Sequence, residues 1–173
     1  AHDPAAATAF RARVRLARMR ADRVPRFTML LAELLGPERV SLALEASDKP
    51  SALLALSALF VADGVDPERV YRSLMARESL ASTGVGSGVA IPHGRVPGLD
   101  GIRAALAIHH AGVPFDAVDG EHVHVFVAIL APEDRPSQHL KALAEVSRLL
   151  RRRDVRERLL SAKSVAEVLA ILG

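Results

Sequence analysis

The chain has 173 residues, half of them hydrophobic, a formal net charge of +3 and no cysteine. That is the length of one domain with room for an appendage, and its apolar content rules out disorder over the whole chain. No apolar run is long enough for a transmembrane helix, and the missing cysteine excludes disulfides, thiolate nucleophiles and cysteine-based metal sites together.

Taken in chain order, the first feature is a concentration of charge. Residues 11–26 hold seven Arg against Asp22, a local +6, whereas residues 27–173 carry −2. Residues 1–27 therefore read as a basic N-terminal arm or extra helix, and residues 28–173 as the domain. Phe10, Val14, Ala17, Ala21 and Val24 fall on one helical face, and Pro25 would end such a helix. The arm is expected to be a solvated leader or a helix against the domain; contact with an anionic surface or nucleic acid is the alternative.

Lys49-Pro50 opens a helix predicted to reach Asp63, with Gly64 as its stop. Asp66-Pro67 opens the next, an N-cap with proline at the first helical position, running to about Arg77. From 79 to 94 the glycines at 84, 86, 88 and 94 alternate with β-branched residues, a pattern of short strands and turns. Strands are predicted over 102–110 and 113–118, with a hairpin at Asp119-Gly120. The apolar run from His122 to Leu130 suits a strand buried on both faces. The last third is helical, with Ser137, Asp154 and Ser164 as N-caps and Glu167 completing a capping box with Ser164. Strands interleaved with helices predict a single α/β domain, a mixed sheet of about five strands flanked by helices.

The chemistry concentrates between Arg77 and Arg95. No Gly-Lys-Ser/Thr closes a phosphate loop there. The third glycine, Gly88, comes one residue early for a dinucleotide fingerprint. Ser87 is one place late for a nucleophile elbow. What remains is His93 in rigid backbone: Pro92 fixes φ before it, and Gly94 removes bulk after it. On these residues alone two readings stand, a turn histidine with a structural hydrogen bond and a nucleophilic imidazole that attacks a phosphoryl group. The second needs cationic donors, for which Arg77 and Arg95 are candidates, with glycine amides as neutral donors.

The run Arg77-Glu78, Ser82-Thr83-Gly84-Val85-Gly86 and Gly88-Val89-Ala90-Ile91-Pro92-His93-Gly94-Arg95 resembles the enzyme IIA component of the bacterial phosphotransferase system. The class is the one that includes the fructose, mannitol and nitrogen-regulatory members. The resemblance extends over about 29–172, through Phe115-Asp116-Ala117-Val118-Asp119 and Gln138-His139-Leu140-Lys141. It implies that His93 accepts a phosphoryl group on Nε2 from the phosphohistidine of an HPr-like phosphocarrier, with Nδ1 oriented by a backbone acceptor. It implies that Arg77 is the active-site arginine and His139 an assisting second histidine. Ser82, Thr83, Gly94 and Arg95 are the accompanying phosphate-binding candidates, a solvated role for Arg95 standing equally open.

The Gly94-Arg95 ending and the 115–119 and 138–141 segments are most like the nitrogen-regulatory branch, whose members regulate targets such as kinases or transporters by binding them. A sugar-specific IIA that passes phosphate to a IIB domain is the second reading. A purely binding regulator working through the Arg-rich arm is the third. No cofactor, resident metal, nucleic-acid partner or membrane insertion is expected, and the cytoplasm is the expected location. His109, His110, His122 and His124 lie close in sequence, but only Glu121 lends them a carboxylate, so they read as strand-end or surface histidines.

Overall fold

The computed structural model describes residues 31–173; the Arg-rich segment of 1–27 lies outside them. Leu31 and Leu35, four apart and both buried, form the inner face of α1 (Leu31–Leu35). A 3-10 turn at Pro37–Arg39 leads into β1 (Val40–Ser41). Asp48 caps α2 (Lys49–Ala58) through a reciprocal pair: its carboxylate accepts from the Ser51 amide, and the Ser51 hydroxyl accepts from the Asp48 amide. The helix stops short of the predicted Asp63. The chain tightens into a 3-10 turn at Val61–Asp63, which buries Phe60 and leaves Val61 exposed. Gly64 is the stop, in the left-handed conformation that suits glycine. α3 (Pro67–Glu78) starts where its cap predicts, the Asp66 carboxylate accepting from the Glu68 amide.

The glycine-rich stretch supplies three short strands, β2 (Gly84–Gly86), β3 (Val89–Ala90) and β4 (His93–Arg95). The long antiparallel pair β5 (Arg103–Val113) and β6 (Val123–Ala131) forms the centre of the sheet. Its geometry departs from the predicted tight hairpin. β5 is one strand with an irregularity between Ile108 and Val113, and residues 114–122 connect it to β6. Residues 114–118 read as extended because they turn to a different partner: the Val118 amide donates to the Gly84 carbonyl at 3.1 Å and the Ser82 hydroxyl to the Phe115 carbonyl at 3.0 Å.

The strand order is β1-β5-β6-β3-β2, with β4 also on β6, giving a six-stranded mixed sheet. β3 and β4 both run parallel to β6 along the same edge, β3 beside Val125 and Phe126, β4 beside Ile129 to Ala131. Three helices complete the chain: α4 (Pro136–Leu150), α5 (Arg153–Ser161) and α6 (Val165–Leu172). Ser164 caps α6 as expected, its hydroxyl accepting from the Glu167 amide, although the Glu167 carboxylate reaches the Lys163 amide. Ser137 and Asp154 lie inside their helices. α4 starts instead at Pro136, whose missing N–H suits the first position, and Asp154 accepts from Arg152.

The sheet divides two apolar layers. Ala104, Leu106, Ile108, Val125, Val127 and Ile129 face α1, α4, α5 and α6, while Ala105, Ala107, Phe126, Ala128 and Leu130 face α2 and α3. β6 is therefore covered on both sides, as its continuous apolar run predicts; within it only His124 is not fully buried. No helix among the described residues is long and apolar enough to cross a membrane.

Candidate functional site

Pro92 breaks the edge of the sheet between β3 and β4. Its carbonyl still accepts from the Ile129 amide, at 2.9 Å, so the chain continues along β6 into His93. The carbonyl of Ile91 faces the His93 ring, and the Nδ1–H donates to it at 2.8 Å. With Nδ1 carrying the proton, Nε2 holds the lone pair, and it accepts from Nε of Arg77 at 3.0 Å. Arg77 comes from the last turn of α3, on one face of the sheet, and its Nη1 also donates to the Ala81 carbonyl at 2.9 Å.

From the other face comes His139, in α4. Its ring lies edge-on to His93, with centroids 5.5 Å apart and an interplanar angle of 71°. It is only 6% exposed, and its buried Nε2 finds no hydrogen-bond partner among the described residues. Burial first, then the charges of His93 and Arg95, push the His139 ring down to about 4, so it is neutral at pH 7. Burial is also the main force lowering His93, with Arg77 adding to it; the Ile91 carbonyl and the Glu78 carboxylate work against the shift.

The structure thus brings three predicted residues, His93, Arg77 and His139, to one point at the sheet edge. Arg95, in β4, is exposed. Gly94 is buried against α3, where a Cβ would overlap the Ser73 hydroxyl; that hydroxyl donates to the Arg95 carbonyl at 2.9 Å. Ser82 and Thr83 have internal partners. The Ser82 hydroxyl donates to Phe115 and accepts from the Gly84 amide, and the Thr83 hydroxyl donates to Glu78 at 2.5 Å. His109, His110, His122 and His124 gather no metal-type donor group: among the described residues no cluster of three or more His, Asp or Glu has that geometry. The sequence reading misses Lys49, Glu78 and Asp116 as a charged group behind the site, with Lys49 Nζ 3.1 Å from Glu78 and 2.8 Å from Asp116. They lie on three separate elements, so no spacing signals their meeting.

Residues 33–173 match the family described as "Phosphoenolpyruvate-dependent sugar phosphotransferase system, EIIA 2". The chain belongs to this family. As an EIIA 2 domain it is similar to a nitrogen regulatory protein of Bradyrhizobium diazoefficiens, 36% identical over 84% of this chain and 95% of the relative. It is also similar to the fructose-specific EIIABC component of Bacillus subtilis, 31% identical over 84% of this chain but only 23% of that longer protein. Its fold superposes on the crystal structure of nitrogen regulatory protein IIA-Ntr from Neisseria meningitidis with a TM-score of 0.78, at 34% identity, covering 83% of this chain and 99% of that one. The EIIA 2 fold expected from the sequence is thereby found, with one more strand than the five or so anticipated.

Proposed function

We propose that this protein accepts a phosphoryl group on Nε2 of His93 from the phosphohistidine of an HPr-like carrier, and that its phosphorylation state controls which cytoplasmic partners it binds. The observation that carries this reading is the tautomer: Nδ1–H is committed to Ile91, so Nε2 is the nucleophilic nitrogen. The donor's N–P bond breaks as the N–P bond to His93 forms, and the donor imidazole keeps the electron pair. The Arg77 N–H that now meets Nε2 is then released to a phosphoryl oxygen, where a guanidinium fork stabilises the charge spread over a loose transition state. His139, neutral and without a partner at Nε2 among the described residues, supplies a second N–H beside the same oxygens.

The similarity to nitrogen regulatory proteins over nearly their whole length supports a regulatory role. The similarity to the EIIABC component supports a second reading, transfer onward to a IIB domain. One experiment addresses both. The full chain and its His93→Ala variant are incubated at neutral pH with phosphoenolpyruvate, enzyme I and an HPr-type carrier, and weighed intact. The expected result is one acid-labile phosphoryl group on the wild type and none on the variant. A labelled variant refutes the assignment of His93. Adding a fructose- or mannitol-type IIB domain then separates the branches: retention of the label is expected for the regulatory reading, and rapid loss for the sugar-specific one.

A further inference from the structure

Glu78 takes no part in the transfer just described, yet its carboxylate is buried and fully engaged. It ends α3, beside Arg77, and is 6% exposed. Its two oxygens accept from the Thr83 amide at 3.2 and 3.0 Å, Oε2 accepts from the Thr83 hydroxyl at 2.5 Å, and Oε1 meets Lys49 Nζ at 3.1 Å. A charge at that depth is costly unless paired and hydrogen-bonded, and here each of its oxygens has partners.

These bonds join residues 78 and 83 into a closed loop. Within the loop lies Ala81, whose carbonyl accepts from Arg77 Nη1, while Nε of the same guanidinium reaches His93 Nε2. Arg77 is thus held at two points, and the clasp fixes one of them. The clasp is braced in turn: Lys49 also pairs with Asp116 and lies 5.2 Å from the centre of the Phe115 ring, and the Phe115 carbonyl accepts from Ser82.

We infer that Glu78, braced by Lys49, is a positioning residue: it clasps the 78–83 loop so that the Arg77 guanidinium is aimed at Nε2 of His93 before a phosphoryl group arrives. A guanidinium on a long stem has many rotamers, and ordering it beforehand removes that cost from the transfer step. The kinetic consequence rests on His93 as the acceptor; the aim of Arg77 is a property of the resting protein and does not.

The test is Glu78→Gln in the full chain. Gln keeps the shape but loses the charge and turns an amide toward Lys49. Two readouts are taken: single-turnover phosphoryl transfer from a phosphorylated HPr-type carrier, and the Arg77 Nε–H resonance in ¹⁵N NMR of the unphosphorylated protein. The expected result is cooperative melting, an unchanged KM for the carrier, transfer slowed about 10²-fold, the loss a misplaced catalytic group typically brings, and loss of the Arg77 resonance. Glu68→Gln, which removes a carboxylate paired with Arg72 on the exposed face of the same helix, is expected to behave as wild type. If Glu78→Gln does not fold, Lys49→Met, which leaves the Thr83 bonds in place, is measured in the same way with the same signs expected. Wild-type transfer by the folded variant, or an unmoved Arg77 resonance, overturns the inference. If the wild type accepts no phosphoryl group, the reading of His93 fails, and the NMR comparison still decides the clasp.

Discussion

At the scale of single residues, the two histidines are prepared differently. His93 has one nitrogen used by Ile91 and the other met by Arg77, so its tautomer is set by backbone and a cation. His139 has no such partner at Nε2 among the described residues, and burial dominates its chemistry. This fixes a pH dependence. In the unfolded chain His139 titrates at its ordinary value near 6.5, and in the folded one at about 4. Between those values the unfolded state binds a proton that the folded state refuses, so stability is full above about 6.5 and falls as the pH drops toward 4. His93, also lowered by burial and Arg77, adds in the same direction. Urea titrations across this window are expected to show a falling midpoint for the wild type and a flatter profile for His139→Asn. Equal slopes in the two proteins refute the assignment. Pro92 and Gly94 single out His93 as a histidine held in rigid backbone, but leave its role open between a structural turn and a nucleophile until the resemblance is added. His139 is not singled out even so far, because a histidine inside a helix carries no local mark of what the tertiary fold brings to it; only the resemblance names it.

At the scale of elements, the site depends on how closely β4 lies against α3. The contact is made by Gly94 and Ser73, with the Ser73 hydroxyl bonded to the Arg95 carbonyl. A methyl group at 94 has no room, since the nearest atoms include the Ser73 Cβ at 3.1 Å and its backbone carbon at 3.3 Å. Gly94→Ala is therefore expected to push β4 off α3 and to cost about 1–3 kcal/mol, the usual range for overpacking. Because the same shift separates His93 from Arg77, transfer should fall together with stability. Chemical denaturation and single-turnover labelling check the two effects, and a variant of wild-type stability excludes the tight contact. Sequence patterns locate α3 well, because Asp66-Pro67 is a local start signal. They fail where partners are distant. Residues 113–118 look like a strand, yet beyond Val113 they bond to the 82–84 segment in single contacts, and Asp116 takes a positive φ of 52° that no ladder would accept. The end of α2 is misread for a similar reason: burying Phe60 requires a tighter turn than the apolar pattern encodes.

At the scale of the whole molecule, both helical layers reach His93 at the sheet edge. Arg77 comes from the α2–α3 layer and His139 from the α4–α6 layer, so the site exists only once both layers have packed. That makes the integrity of the domain a condition of the proposed transfer and gives its N-terminal boundary a functional test. Leu31 and Leu35 are buried in the layer with α6, 5% and 0% exposed. Truncating a buried Leu to Ala typically costs about 2–5 kcal/mol, so losing both removes much of the roughly 5–15 kcal/mol that holds a domain together. A chain lacking residues 1–35 is expected to melt far below the wild type and to take no label. We propose residues 28–173 as the domain, so a chain lacking residues 1–27 is expected to melt and to accept phosphate as the full chain does, although the seven Arg of 11–26 are gone and the remaining charge is slightly negative. Circular-dichroism melts and the intact-mass assay, run on both truncations, read this directly. A shorter chain that loses stability on removal of 1–27 alone makes the basic segment part of the domain's core; equal behaviour assigns it to work outside the transfer reaction.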